Sequence, residues 1–214
     1  MMDKLSQVIN YTKEKLGHEK TGHDFLHVQR VAHLADTIIQ QDQLSVNREV
    51  VLSSAYLHDV IDDKVVTDVA QAIDELTAFL QSINFSAETT QEILTIIQNL
   101  SFSKEVEAGK QALSLEGEIV QDADRLEALG AIGILRTAYY GGGHDHPIHD
   151  PERQPQQFVS KADYRKGTTV INHFYEKLFL LPEKMNTQAG KKEARRRKEF
   201  MENFLKEFYH EWNI

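Results

Sequence analysis

The chain has 214 residues, of which 41% are hydrophobic and 27% charged, enough apolar content for one substantial core and too mixed a composition for a disordered or fibrous protein. It contains no Cys, which excludes disulfides, thiolate nucleophiles and Cys-based zinc sites, so any metal must be held by imidazole nitrogen and carboxylate oxygen. The formal net charge of -9 argues against a surface built to wrap a nucleic-acid polymer, though not against a small phosphorylated ligand in a locally cationic pocket.

Helical periodicity dominates from the N-terminus onward, and an all-α, single-domain bundle is expected over residues 1–214. Residues 4–16 place Leu5, Val8, Ile9, Thr12 and Leu16 on one face, with Gly17 as a stop. Residues 24–41 form an apolar stripe through Val28, Val31, Ala32, Ala35, Ile38 and Ile39, with His27 beside it and Asp24 as a candidate N-cap. A helix at about 47–58 ends on His58 and Asp59, where unpaired carbonyls favour a cation. Segments 67–82 and 86–99 read as two more amphipathic helices, and SFSKEVEAGKQALSLEG as an ordered loop. Residues 117–139 look like one buried central helix, with Asp122, Asp124 and Arg125 near its start and Leu126, Leu129, Ile132, Ile134 and Leu135 after them. GGGHDHPIHDPERQPQQ follows, a long loop whose Gly and Pro content suggests a mobile, functional segment. Helices at about 160–180 and 189–212 close the chain, and the run KKEARRRK is expected to be a solvated helix face. No apolar run approaches the roughly 20 residues of a membrane span, and MMDKLSQVINYTKEKL lacks a signal-peptide core, so no membrane association and a cytoplasmic location are expected.

Against this background His27, His58, Asp59 and Asp124 form the pattern H…HD…D. An adjacent His-Asp pair offers a nitrogen and an oxygen donor from neighbouring positions, and a further His and carboxylate complete a divalent-cation site. The charged start of the 117–139 segment fits this, because a carboxylate at the edge of a core needs a partner. Asp122 competes with Asp124, but two residues along a helix it faces elsewhere and suits a supporting or water contact, as does Arg125.

The segments GHDFLHVQRVAHLA, YLHDVIDDK and IVQDADRLEALG together resemble the HD-domain superfamily of metal-dependent phosphohydrolases. The resemblance implies an all-α HD core at about 20–130, a C-terminal helical part at about 156–214, and metal ligands on His27, His58, Asp59 and Asp124. HDVIDD is also similar to the HDxxED pattern of manganese-dependent alarmone hydrolases, with Asp62 in place of Glu. Asp62 and Asp63 are therefore candidate catalytic carboxylates that would orient or deprotonate an attacking water. Over nearly its whole length, including YYGG…HPIHDP, NHFYEKL and MNTQAGKKEARRRKEFM, the chain is similar to stand-alone bacterial HD hydrolases that include a nucleotide pyrophosphohydrolase. That similarity implies one divalent cation, manganese before magnesium, cobalt, nickel or iron, and cleavage of (deoxy)nucleoside triphosphates to monophosphate and pyrophosphate. Phosphomonoesterase or cyclic-nucleotide phosphodiesterase chemistry, and a non-catalytic binding scaffold, remain as alternatives on the same site.

His23, Arg30, His144, His146 and Lys177 are candidate substrate contacts, with Lys161, Lys166, His149 and His173 further ones. Arg30 faces two partners on this reading, a phosphate or a carboxylate at the core edge. The glycines before His144 would let the loop close over the site.

Overall fold

The computed structural model describes residues 2–17, 22–157 and 168–212. Helices make up its regular structure, with no strand among the described residues. They are α1 Lys4–Leu16, α2 Phe25–Gln41, α3 Arg48–Leu57, α4 Val69–Ser82, α5 Ala87–Asn99, α6 Phe102–Ala108, α7 Leu115–Glu127, α8 Gly130–Gly143, α9 Val170–Glu176, a 3-10 helix Leu178–Lys184, and α10 Gln188–Trp212. None of the helices is long and apolar enough to cross a membrane.

Short polar side chains start most of these helices by satisfying otherwise orphaned amides. Asp3, Asp24, Asn47, Asp68, Ser86, Ser114 and Thr169 each accept from the backbone N–H three residues on. At α2 the capped amide is that of His27, 2.8 Å from Asp24 Oδ1, so the cap also fixes the backbone of the first site histidine.

The site helices share one core. α2 packs on α3 and α7, and α3 also meets α1, α5 and α7. Val28, Val31, Val50, Val51, Ala55, Ile93, Ile119, Val120 and Ala123 are buried there. α10 lies along the outside of α7 and α8 and also reaches α2.

Three expectations need correction. The helix expected over 117–139 is two helices: Leu129 is extended and Gly130 adopts φ +77°, a left-handed conformation that suits glycine. A Cβ on Gly130 would meet Arg197 Cγ at 3.2 Å, while Arg197 Nη1 donates to Leu126 O at 2.7 Å and satisfies the end of α7. Beyond the break the apolar residues are not central, since Ile132 is 43% and Leu135 71% exposed. The loop expected before α7 holds α6, and the helix expected through 180 gives way after Glu176 to a 3-10 segment containing Pro182. The first part of that last prediction, with Lys161 and Lys166, lies outside the described residues.

The Gly/Pro segment is anchored where the structure describes it. α8 runs through Gly143, and Pro147 O and Ile148 O each accept at 3.0 Å from Val170 and Ile171 at the start of α9. His149 packs edge-on against Phe208, Tyr209 and Trp212 of α10. A Cβ on Gly141 would come within 2.5 Å of Val170 Cγ2, so this glycine provides close packing rather than the freedom expected of it.

Candidate metal centre and cavity

Four side chains from three places in the sequence converge. His27 comes from the first turn of α2, His58 from the C-cap of α3, Asp59 from the next position, and Asp124 from the last turn of α7. Asp124 therefore sits late in a short helix rather than at the start of a long one. His27 Nε2 lies 3.4 Å from Asp59 Oδ2 and 3.6 Å from Asp124 Oδ1, and His58 Nε2 lies 3.5 Å and 3.6 Å from the same two oxygens.

Donors about 2.1 Å from a common cation are separated from one another by about 3.0–3.4 Å, so these distances suit ligands around one ion. The chemistry of the donors agrees. His58 Nδ1 donates to Ala55 O at 2.8 Å, which leaves the Nε2 lone pair facing the carboxylates, and this buried Nε2 has no hydrogen-bond partner. His27, His58 and Asp124 form one group able to hold a metal, and His23, His27 and Asp59 another.

The electrostatics make the cluster anionic at its base. Burial opposes charge on Asp59, but His58, His23 and His27 outweigh it and hold the carboxyl far below the usual range. Burial likewise opposes charge on Asp124, and His27 and His58 overcome it. Burial pulls the His58 imidazole down, yet Asp59 and Asp124 together push it up to about 9, so without a cation a proton occupies Nε2, and a bound ion would take that proton's place.

His58, Asp59 and Asp124, with His23, line part of a cavity of about 480 Å³, and His27 lies behind them. Asp62, Asp63 and Lys64 reach its rim, and Asp62 Oδ1 also accepts from Lys64 N at 2.9 Å, closing a tight turn. Arg136, Tyr140, His144, His146, His173 and Lys177 line another part, and Ile97, Leu100, Phe102, Leu178 and Leu181 give an apolar wall. Tyr140 and His144 stack with ring centroids 3.9 Å apart. Burial of His173, with Lys177 and His146 close by, pushes its imidazole down to about 3 and keeps it neutral near pH 7.

Other expected residues are placed differently. His23 touches the cluster itself, its Nδ1 3.0 Å from Asp59 Oδ2. Arg30 pairs with buried Glu127, the core-edge alternative, and is not part of the cavity lining. Asp122 does not support the metal ligands: its carboxylate accepts from the Asn186 and Thr187 amides at 2.8 and 2.7 Å and from Thr187 Oγ1 at 2.7 Å, tying α7 to the start of α10. Two residues from Asp124 on a helix, it points to the opposite side. Arg125 binds Glu105 and donates to Lys184 O at 2.6 Å, joining α6, α7 and the 3-10 helix at the cavity edge.

Two residues outside the H…HD…D pattern, Glu127 and Arg136, complete the surroundings of His27. Glu127 is 1% exposed, and its Oε2 lies 3.4 Å from His27 Nδ1 and accepts from Arg136 Nη1 at 2.7 Å. Its position three residues after Asp124 was the available signal, because residues so spaced share a helix face. Arg136 stands in the apolar run GAIGILRTAYY with no comparable pattern around it.

An all-α bundle that brings two imidazoles and two carboxylates around one point defines a helical protein with a candidate divalent-metal centre. The HD domain family matches residues 24–129, a span that contains all four of these residues. Bacillus subtilis YpgQ is 31% identical over 94% of this chain and 90% of its own. Its crystal structure with ADP superposes with a TM-score of 0.76 at 27% identity, covering 97% of both chains. A protein from Lactobacillus plantarum gives a TM-score of 0.88 at 41% identity over 100% of this chain and 99% of its own. A HD-superfamily hydrolase from Bacillus thuringiensis gives 0.76 at 36% identity over 98% and 97%. The chain belongs to the HD-domain family.

Proposed function

We propose that the protein is a divalent-metal-dependent phosphohydrolase that cleaves (deoxy)nucleoside triphosphates to the monophosphate and pyrophosphate. The observation that carries the reading is the four-donor cluster opening into a cavity with a cationic and an apolar wall. Its volume falls within the range of about 300–1,000 Å³ usual for small-molecule sites. The ADP complex of the related YpgQ supports a nucleotide ligand, and the HD-superfamily hydrolase of Bacillus thuringiensis supports hydrolysis.

In this reading His27, His58, Asp59 and Asp124 hold one divalent ion, with manganese favoured. When bound, such an ion polarises a phosphoryl oxygen and lowers the pKa of water. Asp62 and Asp63, at the cavity rim, orient the attacking water and accept its proton. Lys177 offsets charge on the phosphates and the leaving pyrophosphate, His144 and His146 hydrogen-bond them, and the wall around Phe102 and Leu178 receives the base.

The test is a screen of purified protein with manganese, magnesium, cobalt and nickel against nucleoside triphosphates, monophosphates and cyclic nucleotides. Pyrophosphate release from triphosphates supports the proposal. Orthophosphate release from monophosphates alone replaces it with monoesterase chemistry, and ring opening of a cyclic nucleotide alone with phosphodiesterase chemistry.

A further inference from the structure

The metal ligands need their imidazoles in one tautomer, and the two histidines obtain it differently. A neutral imidazole has one N–H and one lone pair, so a ring that ligates through Nε2 carries its proton on Nδ1. For His58 a backbone carbonyl, Ala55 O, accepts that proton. His27 has no such carbonyl. Its buried Nδ1 makes no hydrogen bond of regular geometry and faces Glu127 Oε2 at 3.4 Å.

We propose that Glu127 is a positioning residue for the metal centre, its carboxylate holding His27 as the Nδ1–H tautomer so that the Nε2 lone pair is directed at the point between Asp59 and Asp124. This rests on the reading that these residues hold a divalent ion, but it does not depend on which substrate is cleaved.

The surroundings of Glu127 suit the role. An isolated carboxylate this deeply buried would be driven towards its neutral form. Here Arg30 and Arg136 grip it from two sides, from α2 and α8, and hold its two oxygens in place. With a guanidinium on each oxygen, the carboxylate has its charge balanced in place and is kept as an acceptor facing His27 Nδ1. Arg136 Nη2 also donates to Gly22 O at 2.8 Å, one residue before His23, so the same clamp fixes the chain entering α2. A carboxylate behind a ligating imidazole both orients the ring and raises its basicity, and loss of such a partner costs about 10- to 100-fold in metal affinity.

The experiment is manganese titration by calorimetry of the full chain and of Glu127→Gln and Glu127→Asp, with His27 ring-nitrogen shifts measured by NMR in isotope-labelled protein loaded with diamagnetic zinc. Glu127→Gln puts a neutral amide before His27, and Glu127→Asp keeps the charge for the arginines while withdrawing it from the ring. The expected result is an Nδ1–H pattern for His27 in the unsubstituted chain and a loss of about 10- to 100-fold in manganese affinity in both variants. Affinity within twofold of the unsubstituted chain in a folded variant overturns the proposal and leaves Glu127 as a clamp for Arg30 and Arg136. Should neither variant fold, an Nε2–H or mixed tautomer for His27 in the unsubstituted chain overturns it alone. Manganese binding without nucleotide cleavage would end the reaction proposed above while leaving this test intact.

Discussion

Asp124 and Glu127 stand one turn apart on α7 and address opposite nitrogens of the same ring: Asp124 Oδ1 lies 3.6 Å from His27 Nε2, and Glu127 Oε2 lies 3.4 Å from His27 Nδ1. One helix thus supplies a candidate metal ligand and the group behind its neighbouring ligand. The spacing of three residues makes this possible, since it returns a side chain to the same face.

Asp62 and Asp63 separate binding from chemistry. Neither is among the four converging candidate ligands, so Asp62→Asn and Asp63→Asn should leave the manganese stoichiometry at one. Loss of the proton acceptor should lower kcat by about 100- to 10,000-fold in at least one of them. Calorimetry with steady-state kinetics checks both numbers, and full kcat in both variants removes these residues from the proton transfer.

Lys177 lines the cavity with its Nζ 5.5 Å from the Phe102 ring centroid, at the boundary between cationic and apolar walls. Lys177→Ala should raise KM for a triphosphate by about tenfold, in keeping with a charged contact of about 1.5 kcal/mol, and leave manganese affinity unchanged. An unchanged KM would place the phosphates elsewhere.

Gly190 tests the seam between α7 and α10. A Cβ there would collide with Asp122 Oδ2 and stand 2.7 Å from Thr187 Oγ1, the groups that fasten the start of α10. Gly190→Ala should destabilise the protein by about 1–3 kcal/mol despite alanine's better helix propensity. Urea unfolding measures this, and an unchanged midpoint would mean the seam can open without penalty.

Glu193 gives the pH test. Arg196 pulls its carboxyl down, burial opposes this, and Arg197 adds to the pull, leaving it at about 2. A folded-state value below the ordinary carboxylate range stabilises the protein above about pH 4.5, and this contribution is lost as pH falls through about 2. The pair is partly open to water, so its contribution is under about 1 kcal/mol. Thermal melts of Glu193→Gln should lie below those of the unsubstituted chain near neutral pH, and the gap should close between about pH 4.5 and 2. A gap that widens on acidification would show the opposite linkage.

How much the sequence disclosed follows from how local each signal is. His27, His58, Asp59 and Asp124 stand out because adjacency and helical setting mark them, and the structure brings them together. Asp24 was readable as a cap because capping depends on the next three residues alone. The break at Gly130 was hidden, since apolar residues continue across it and the left-handed turn is set by packing against Arg197 on a distant helix. Exposure of Leu135 was hidden for the same reason. Arg30 had two plausible partners, and only the fold brought Glu127, 97 positions away, beside it. The role of Gly141 is not legible in sequence, because a glycine that provides space looks the same there as one that provides freedom.

The most direct test of the account is product analysis by phosphorus NMR after incubating manganese-loaded protein with a deoxynucleoside triphosphate, alongside Asp59→Ala. The expected result is nucleoside monophosphate and pyrophosphate in equal amounts from the unsubstituted chain. Asp59→Ala should retain no manganese and lose more than about 100-fold in turnover. Full turnover by metal-free Asp59→Ala, or no cleavage of any triphosphate by the manganese-loaded chain, would contradict the account.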